Sequence, residues 1–187
     1  MFKLTVDNDI NLYLVNEAFT QRYVELVKQD NDYLSQWLQW PRFCKSQDDF
    51  NDFVKRSLHE YAEGKSMMCA IDYCGHIVGN CGFNTIKHDV KVAEMGYWLG
   101  KDYQGNGIMT RVCRYLIDYA FTQLYMNKAQ ISAAERNLPS RAVCERLGMQ
   151  LEGIITNQEK VGDSILNHAI YGIHNTKIQK SAGPQLN

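Results

Sequence analysis

The sequence predicts a mixed α/β domain, with α+β or α/β connections and helices packed on a sheet. Three observations carry the prediction. Strand-like and helix-like segments follow one another along the chain, in the order strand, helices, strand meander, helix, strand, helix, strand, strand. One strand runs into a glycine-bearing turn that opens a long amphipathic helix. Apolar residues make up 45% of the 187, enough for one packed core. A chain of this length forms a single domain, taken as residues 1–178, with a loose tail over 179–187 that carries Gly183 and Pro184.

Ile10–Val15 reads as the first strand, with Leu12 and Leu14 facing one way. Thr20–Lys28 and Asn31–Trp40 read as two short helices. Pro41 ends the second, because proline disfavours a helical residue before it. Ser46, followed by Asp48 and Asp49, marks another helix start. Phe50, Phe53, Val54, Leu58 and Tyr61 then form one apolar face up to Gly64. Met67–Tyr73 and His76–Asn84 are strands joined by a turn at Cys74-Gly75, and Val92–Leu99 is a third. Gly107–Leu124 carries Ile108, Val112, Leu116 and Tyr119 at helical spacing, and Lys128–Ala134 returns to a strand. Asn137–Leu147 is a helix with proline in its first turn and Gly148 just past its end. Met149–Ile155 and Ile165–Ile173 close the chain as strands.

Charge narrows the function. Lys+Arg number 20 against 21 Asp+Glu, a net charge of -1, which argues against broad nucleic-acid binding. No apolar run approaches a membrane span, and Met1 to Leu14 carries Lys3, Asp7 and Asp9 where a signal peptide would be uninterrupted and apolar. A cytoplasmic location is the expectation. Six cysteines form no C-x-x-C pair and lie mostly in apolar stretches, as small hydrophobes do in a reducing compartment. His59, His76, His88, His168 and His174 lack metal-ligand spacing, so no metal is expected.

The most informative stretch is Tyr97-Trp98-Leu99-Gly100-Lys101-Asp102-Tyr103-Gln104-Gly105-Asn106-Gly107-Ile108-Met109. Gly105 and Gly107 reach backbone angles closed to other residues and let a ligand approach the main chain. The first amides of the following helix lack intrahelical partners, so the turn suits a pyrophosphate. A nucleotide P-loop needs Lys and Ser/Thr after its last glycine, where Ile108 and Met109 stand. A dinucleotide fingerprint needs glycine where Thr110 stands, and an acid near Asn127 and Lys128. The pyrophosphate of coenzyme A remains. The bland alternative is a tight helix entry without a ligand.

Gln104-Gly105-Asn106-Gly107-Ile108-Met109 resembles the Gln/Arg-x-x-Gly-x-Gly/Ala signature of the GNAT superfamily of acetyl-CoA-dependent acetyltransferases, with Met109 replacing its final small residue. Glu94-Met95-Gly96-Tyr97-Trp98-Leu99, Asn137-Leu138-Pro139-Ser140, Leu147–Gly153 and Trp37-Leu38-Gln39-Trp40-Pro41 are similar to the ribosomal-protein N-acetyltransferase branch, in its serine-specific form. The likeness covers residues 8–175. It implies a central, mostly antiparallel, twisted sheet of about seven strands with helices on both faces, splayed beside Leu99 to admit acetyl-CoA. It also implies acetyl transfer to an amine by direct attack in a ternary complex. The main-chain N–H of Leu99 would face the thioester carbonyl, where negative charge grows in the transition state.

By the same resemblance, Gln104, Gly105, Asn106, Gly107, Ile108 and Met109 would bind the cofactor, with Asn137 and Ser140 on its pantetheine and sulfur. Ser140 would act as general acid, because Cys144 stands where many members carry a tyrosine; the competing reading is a helix-capping serine. Glu159, between the last two strands, matches the proposed base, against an ordinary solvated hairpin carboxylate. Glu94 is the rival base, on the strand entering the turn with Gly96 and Trp98 on its face. Trp37, Trp40, Tyr97 and Glu94 would line the acceptor cleft, although aromatics at helical spacing are more often core. Arg111 and Arg114 point away from their helix's apolar face, toward solvent or the CoA 3′-phosphate.

Two other functions stay open at this point. A polyamine or aminoglycoside acetyltransferase would need converging carboxylates, which Glu17, Glu25, Asp48, Asp49 and Asp52 could supply only from scattered positions. A non-catalytic acetyl-CoA-binding module would keep the glycine turn without Ser140 or Glu159. A homodimer rests on family habit.

Overall fold

The computed structural model describes residues 2–176, so the tail expected from Gln179 lies outside the described residues. The strands are β1 (Lys3–Thr5), β2 (Ile10–Leu14), β3 (Met67–Tyr73), β4 (His76–Lys87), β5 (Val92–Leu99), β6 (Lys128–Ala134), β7 (Gln150–Val161) and β8 (Ser164–His174). The helices are α1 (Thr20–Leu34), α2 (Gln47–Ala62), α3 (Ile108–Thr122) and α4 (Leu138–Arg146). All eight strands form one sheet in the order β1-β2-β3-β4-β5-β6-β8-β7. Every neighbouring pair is antiparallel except β5 and β6. The eighth strand, β1, was not anticipated, since Lys3–Thr5 is too short to show alternation; it gains its strand character by pairing with β2.

Alternation along β3 divides the core. Cys69 and Ile71 belong with α3 and α4 residues such as Val112, Leu116 and Cys144, while Ala70 between them packs with Tyr23, Val27 and Phe50 of α1 and α2. Helices therefore cover both faces. The two helices expected over Thr20–Lys28 and Asn31–Trp40 are one helix, bent at Asp30 (φ -112°, ψ 17°) and ending at Leu34. Trp40–Arg42 forms a separate single turn. The buried Asp30 carboxylate accepts a bond from Lys101 N–H at 2.7 Å, a tie across the chain that local propensity does not encode.

β4 runs on to Lys87 and β7 to Val161, past the ends expected at Asn84 and Ile155, while the start of α2 follows its sequence signal. Ser46 caps α2, and Asp49 answers with a reciprocal bond to the Ser46 N–H, a full capping box. Cys69, Cys81, Cys113 and Cys144 are buried thiols. No helix among the described residues is long and apolar enough to cross a membrane, and no described group of three His, Cys, Asp or Glu could hold a metal.

Arg111 does not stand free. It pairs with Asp7 at 3.0 Å and Asp9 at 3.4 Å, fastening α3 to the turn between β1 and β2. Burial pushes the Asp7 carboxyl up, but N–H donors from Asp9 and Ile10 together with Arg111 outweigh it and hold the carboxyl below the usual range. A carboxyl lowered in the folded state contributes stability above its unfolded value, near pH 4, which is lost as pH falls further. Asp7→Asn is expected to flatten the loss of thermal stability between about pH 4 and pH 2, read by melting curves; an unchanged acid slope would contradict the assignment.

Candidate active site

The parallel pairing of β5 with β6 lasts only four positions, from Val92↔Lys128 to Met95↔Ile131. Beyond it the strands part. Gly96–Leu99 stays on β4 and Ser132–Ala134 stays on β8, leaving two facing, unpaired edges. The splay thus begins three residues before Leu99, the position expected from sequence. Gly100 N–H is given to Val78 O at 2.8 Å. Since successive peptide groups of a strand point to opposite sides, the Leu99 N–H is aimed into the gap.

At the end of β5 the chain enters the glycine turn. Gly105 and Gly107 have φ of 78° and 69°, and a Cβ at either would meet nothing within 4 Å. Gly107 is the N-cap of α3, and no side chain caps the helix, so its first amides open onto that space. Ile108 and Met109 turn their side chains into the core, at 1% and 8% exposure, which is how a large residue is accommodated at Met109. Gln104, Gly105, Gly107, Ile108 and Met109 line a cleft of 540 Å³ with the start of α4. Asn106 does not line it. Its amide folds back onto the carbonyls of Tyr103 and Gln104 and braces the turn.

At the mouth of this cleft, α4 begins. Its cap is Asn137, whose side chain accepts from Ser140 N–H at 3.2 Å. Ser140 is therefore not the cap. Its hydroxyl instead meets the Tyr97 hydroxyl at 2.9 Å. Burial raises the Tyr97 phenol well above its ordinary range, with the Ser140 bond only partly opposing this. Burial likewise pushes the Cys144 thiol up to about 12, so it is protonated at neutral pH.

A second cleft, of 850 Å³, meets the first at Trp37, Leu38, Tyr97, Trp98, Asn137 and Ser140. Trp40 forms part of its wall, tilted against Trp98 at 5.6 Å and edge-on to Phe50 at 6.0 Å. It is at once core and lining. The β7–β8 hairpin closes one side, where Gly162 N–H donates to the Gln39 side chain at 2.8 Å.

Four carboxylates line this cleft, Asp49, Asp52, Glu94 and Glu159, against one cation, Arg56. Glu94 accepts a bond from Gln130 at 3.0 Å. Glu159 is not in a loop between strands but within β7, just past an irregularity. Between Ile155↔His168 and Glu159↔Leu166, β7 advances four residues while β8 advances two. Asn157 takes a left-handed φ of 55° there, and its N–H is held by the Asn167 side chain. Such a bulge re-aims the residues after it, and here Gln158 and Glu159 turn into the cleft.

Sequence reasoning missed two residues beside Glu159. His168 of β8 lies with its Nε2 at 3.3 Å from Glu159 and its Nδ1 at 2.8 Å from the Ser132 hydroxyl of β6. The available signal was alternation: His168 interrupts an apolar face between Leu166 and Ile170, and Ser132 continues a polar face from Lys128 and Gln130.

A splayed parallel pair ending in an uncapped helix, with a second cleft on its far side, is the scaffold of an acyl transferase that works between two bound molecules. The acetyltransferase (GNAT) domain family matches residues 13–150, and the chain belongs to that family. It is an acetyl-CoA-dependent N-acetyltransferase. It is 33% identical over 154 residues to the "Putative ribosomal N-acetyltransferase YdaF" of Bacillus subtilis (strain 168), covering 82% of this chain and 84% of that protein. It is 28% identical over 161 residues to the ribosomal-protein-serine acetyltransferase of Escherichia coli (strain K12), covering 86% and 90%. Among solved structures, the RimL ribosomal L7/L12 alpha-N-protein acetyltransferase in complex with coenzyme A superposes with a TM-score of 0.89 at 25% identity, covering 92% of this chain and 98% of that one.

Proposed function

We propose that this enzyme acetylates the N-terminal α-amine of a ribosomal protein, by direct attack of the amine on the thioester while both are bound. The observation that carries the reading is the junction of the two clefts at Tyr97, Trp98 and Ser140. One cleft ends in free helix amides suited to a pyrophosphate, the other in carboxylates suited to an ammonium group. The names of the two curated relatives supply the ribosomal acceptor.

In this reading the main-chain amides of Gly105–Met109 hold the diphosphate of acetyl-CoA, and the edge of β5 aligns its pantetheine arm. Leu99 N–H donates to the thioester oxygen, where charge accumulates as the tetrahedral centre forms. Trp37, Trp40 and Tyr97 exclude water around the incoming chain end. Its amine, with a pKa near 8, gives its proton to the carboxylate side of the cleft, where Glu159 stands, with Glu94 held back by Gln130. Ser140, fixed by Asn137 and backed by Tyr97, donates to the departing sulfur. The Cys144 thiol, protonated and buried, is unsuited to an acetyl-cysteine intermediate.

Turnover of acetyl-CoA with N-terminal peptides of ribosomal proteins, compared with spermidine, tests the acceptor. Peptides beginning with serine are expected to be the better substrates. Robust acetylation of spermidine with none of any peptide would refute it. Ser140→Ala is expected to lower kcat by roughly 10–100-fold, at the weak end for a general acid because a serine hydroxyl is a poor proton source. Affinity for acetyl-CoA should be preserved.

A further inference from the structure

We propose that His168 is the group on which the acceptor's proton comes to rest, reached through Glu159 and held in place by Ser132. The inference deepens the acceptor-site reading above and rests on it. Three strands converge to build the arrangement: Glu159 from β7, His168 from β8 and Ser132 from β6. The imidazole is largely buried, with a side-chain exposure of 12%, while the carboxylate in front of it is 38% exposed to the cleft. His168 Nε2 is wholly covered. It lies 3.3 Å from Glu159 Oε2, yet without the angle of a hydrogen bond it has no bonding partner among the described residues. A buried nitrogen left in that state costs stability, and it is poised to receive a proton from the carboxyl in front of it.

The chemistry favours such a pair over a lone carboxylate. A carboxylate is a much weaker base than a terminal amine and an imidazole lies between the two, so an imidazole behind the carboxylate reduces the uphill step that a lone carboxylate would face. Glu159 supplies reach and His168 supplies basicity. With Nδ1–H given to the Ser132 hydroxyl, the Nε2 lone pair faces Glu159. One ammonium N–H bond breaks, Glu159 takes the proton, and it passes to Nε2. The second proton leaves nitrogen as the new C–N bond forms, the C–S bond breaks and the thiolate is protonated. The imidazolium then returns its proton to solvent through Glu159. The other charged groups bordering the same cleft are Glu94 of β5 and Asp49, Asp52 and Arg56 of α2.

The test measures kcat/KM against pH with a serine N-terminal peptide and, separately, with spermidine. The wild-type profile is expected to show an imidazole limb besides that of the amine. His168→Gln keeps a donor for Ser132 but cannot titrate. It should lower kcat/KM by about 100-fold at neutral pH, erase the imidazole limb and leave acetyl-CoA binding intact. Glu159→Gln cannot pass a proton, so it should also erase the imidazole limb, whereas Glu159→Asp, which keeps a carboxyl, should retain it, a difference that loss of packing would not produce. If His168→Gln stays within threefold of wild type and keeps the limb, the proposal falls while the acetyltransferase reading stands. If the wild type acetylates spermidine and no peptide, the acceptor reading falls and the proposal with it. If His168→Gln does not fold, NMR titration of the wild-type ring decides: ionisation at the pH of the kinetic limb supports the proposal, and a ring in one state throughout about pH 5–8 overturns it.

Discussion

Replacing Gly107 with valine is expected to raise the dissociation constant for acetyl-CoA by at least about 100-fold, or about 2.7 kcal/mol, measured by titration calorimetry. Gly107 sits at φ 69°, where an ordinary side chain costs about 1–2 kcal/mol and a β-branched one more. The Cβ itself would strike nothing, so the penalty is not a clash within the protein. It arises because the backbone must leave the left-handed region, which turns the first amides of α3 away from the diphosphate, or else place isopropyl atoms where the diphosphate lies. Gly153→Ala is the control, since that position is open and has no positive φ. Affinity within threefold of wild type for Gly107→Val would mean that the anion is held elsewhere.

The second large effect concerns stability. Leu116 is fully buried in the centre of α3, within the core that α3 and α4 share with the sheet. Leu116→Ala should destabilise by about 2–5 kcal/mol, combining lost transfer free energy with the cavity left behind. For a domain of this size that lowers Tm by roughly 5–20 °C. Leu138→Ala, at a position 66% exposed on α4, should change stability by less than about 0.5 kcal/mol. Equal effects at both positions in denaturant titrations would contradict this account of the core.

How much of this was legible in the sequence differs from element to element. The cofactor turn was readable because its cause is local: Gly105 and Gly107 adopt positive φ within the segment they define. The start of α2 was readable for the same reason, since Ser46 and Asp49 satisfy each other three residues apart. Asp30 was not, because its bend accompanies a bond to Lys101, 71 residues away. Glu159 was expected between the last two strands, but it lies within β7. The stretch Thr156-Asn157-Gln158-Glu159-Lys160 is polar throughout and shows no alternation, because all of it but the half-buried Glu159 is exposed and the irregularity at Asn157 breaks the register. The Ser132–His168 contact joins residues 36 apart that meet only once β6 and β8 are paired. No spacing rule reaches such a pair.

The brevity of the β5–β6 pairing has a mechanical consequence. The sheet is two half-sheets, β1–β5 and β6–β8–β7, sewn together by four residue pairs. Any molecule lying along both free edges works as a strut between the halves. Occupancy should therefore be felt most at that seam, as slower deuterium uptake by the amides of Val92–Met95 than by the continuous strands on either side.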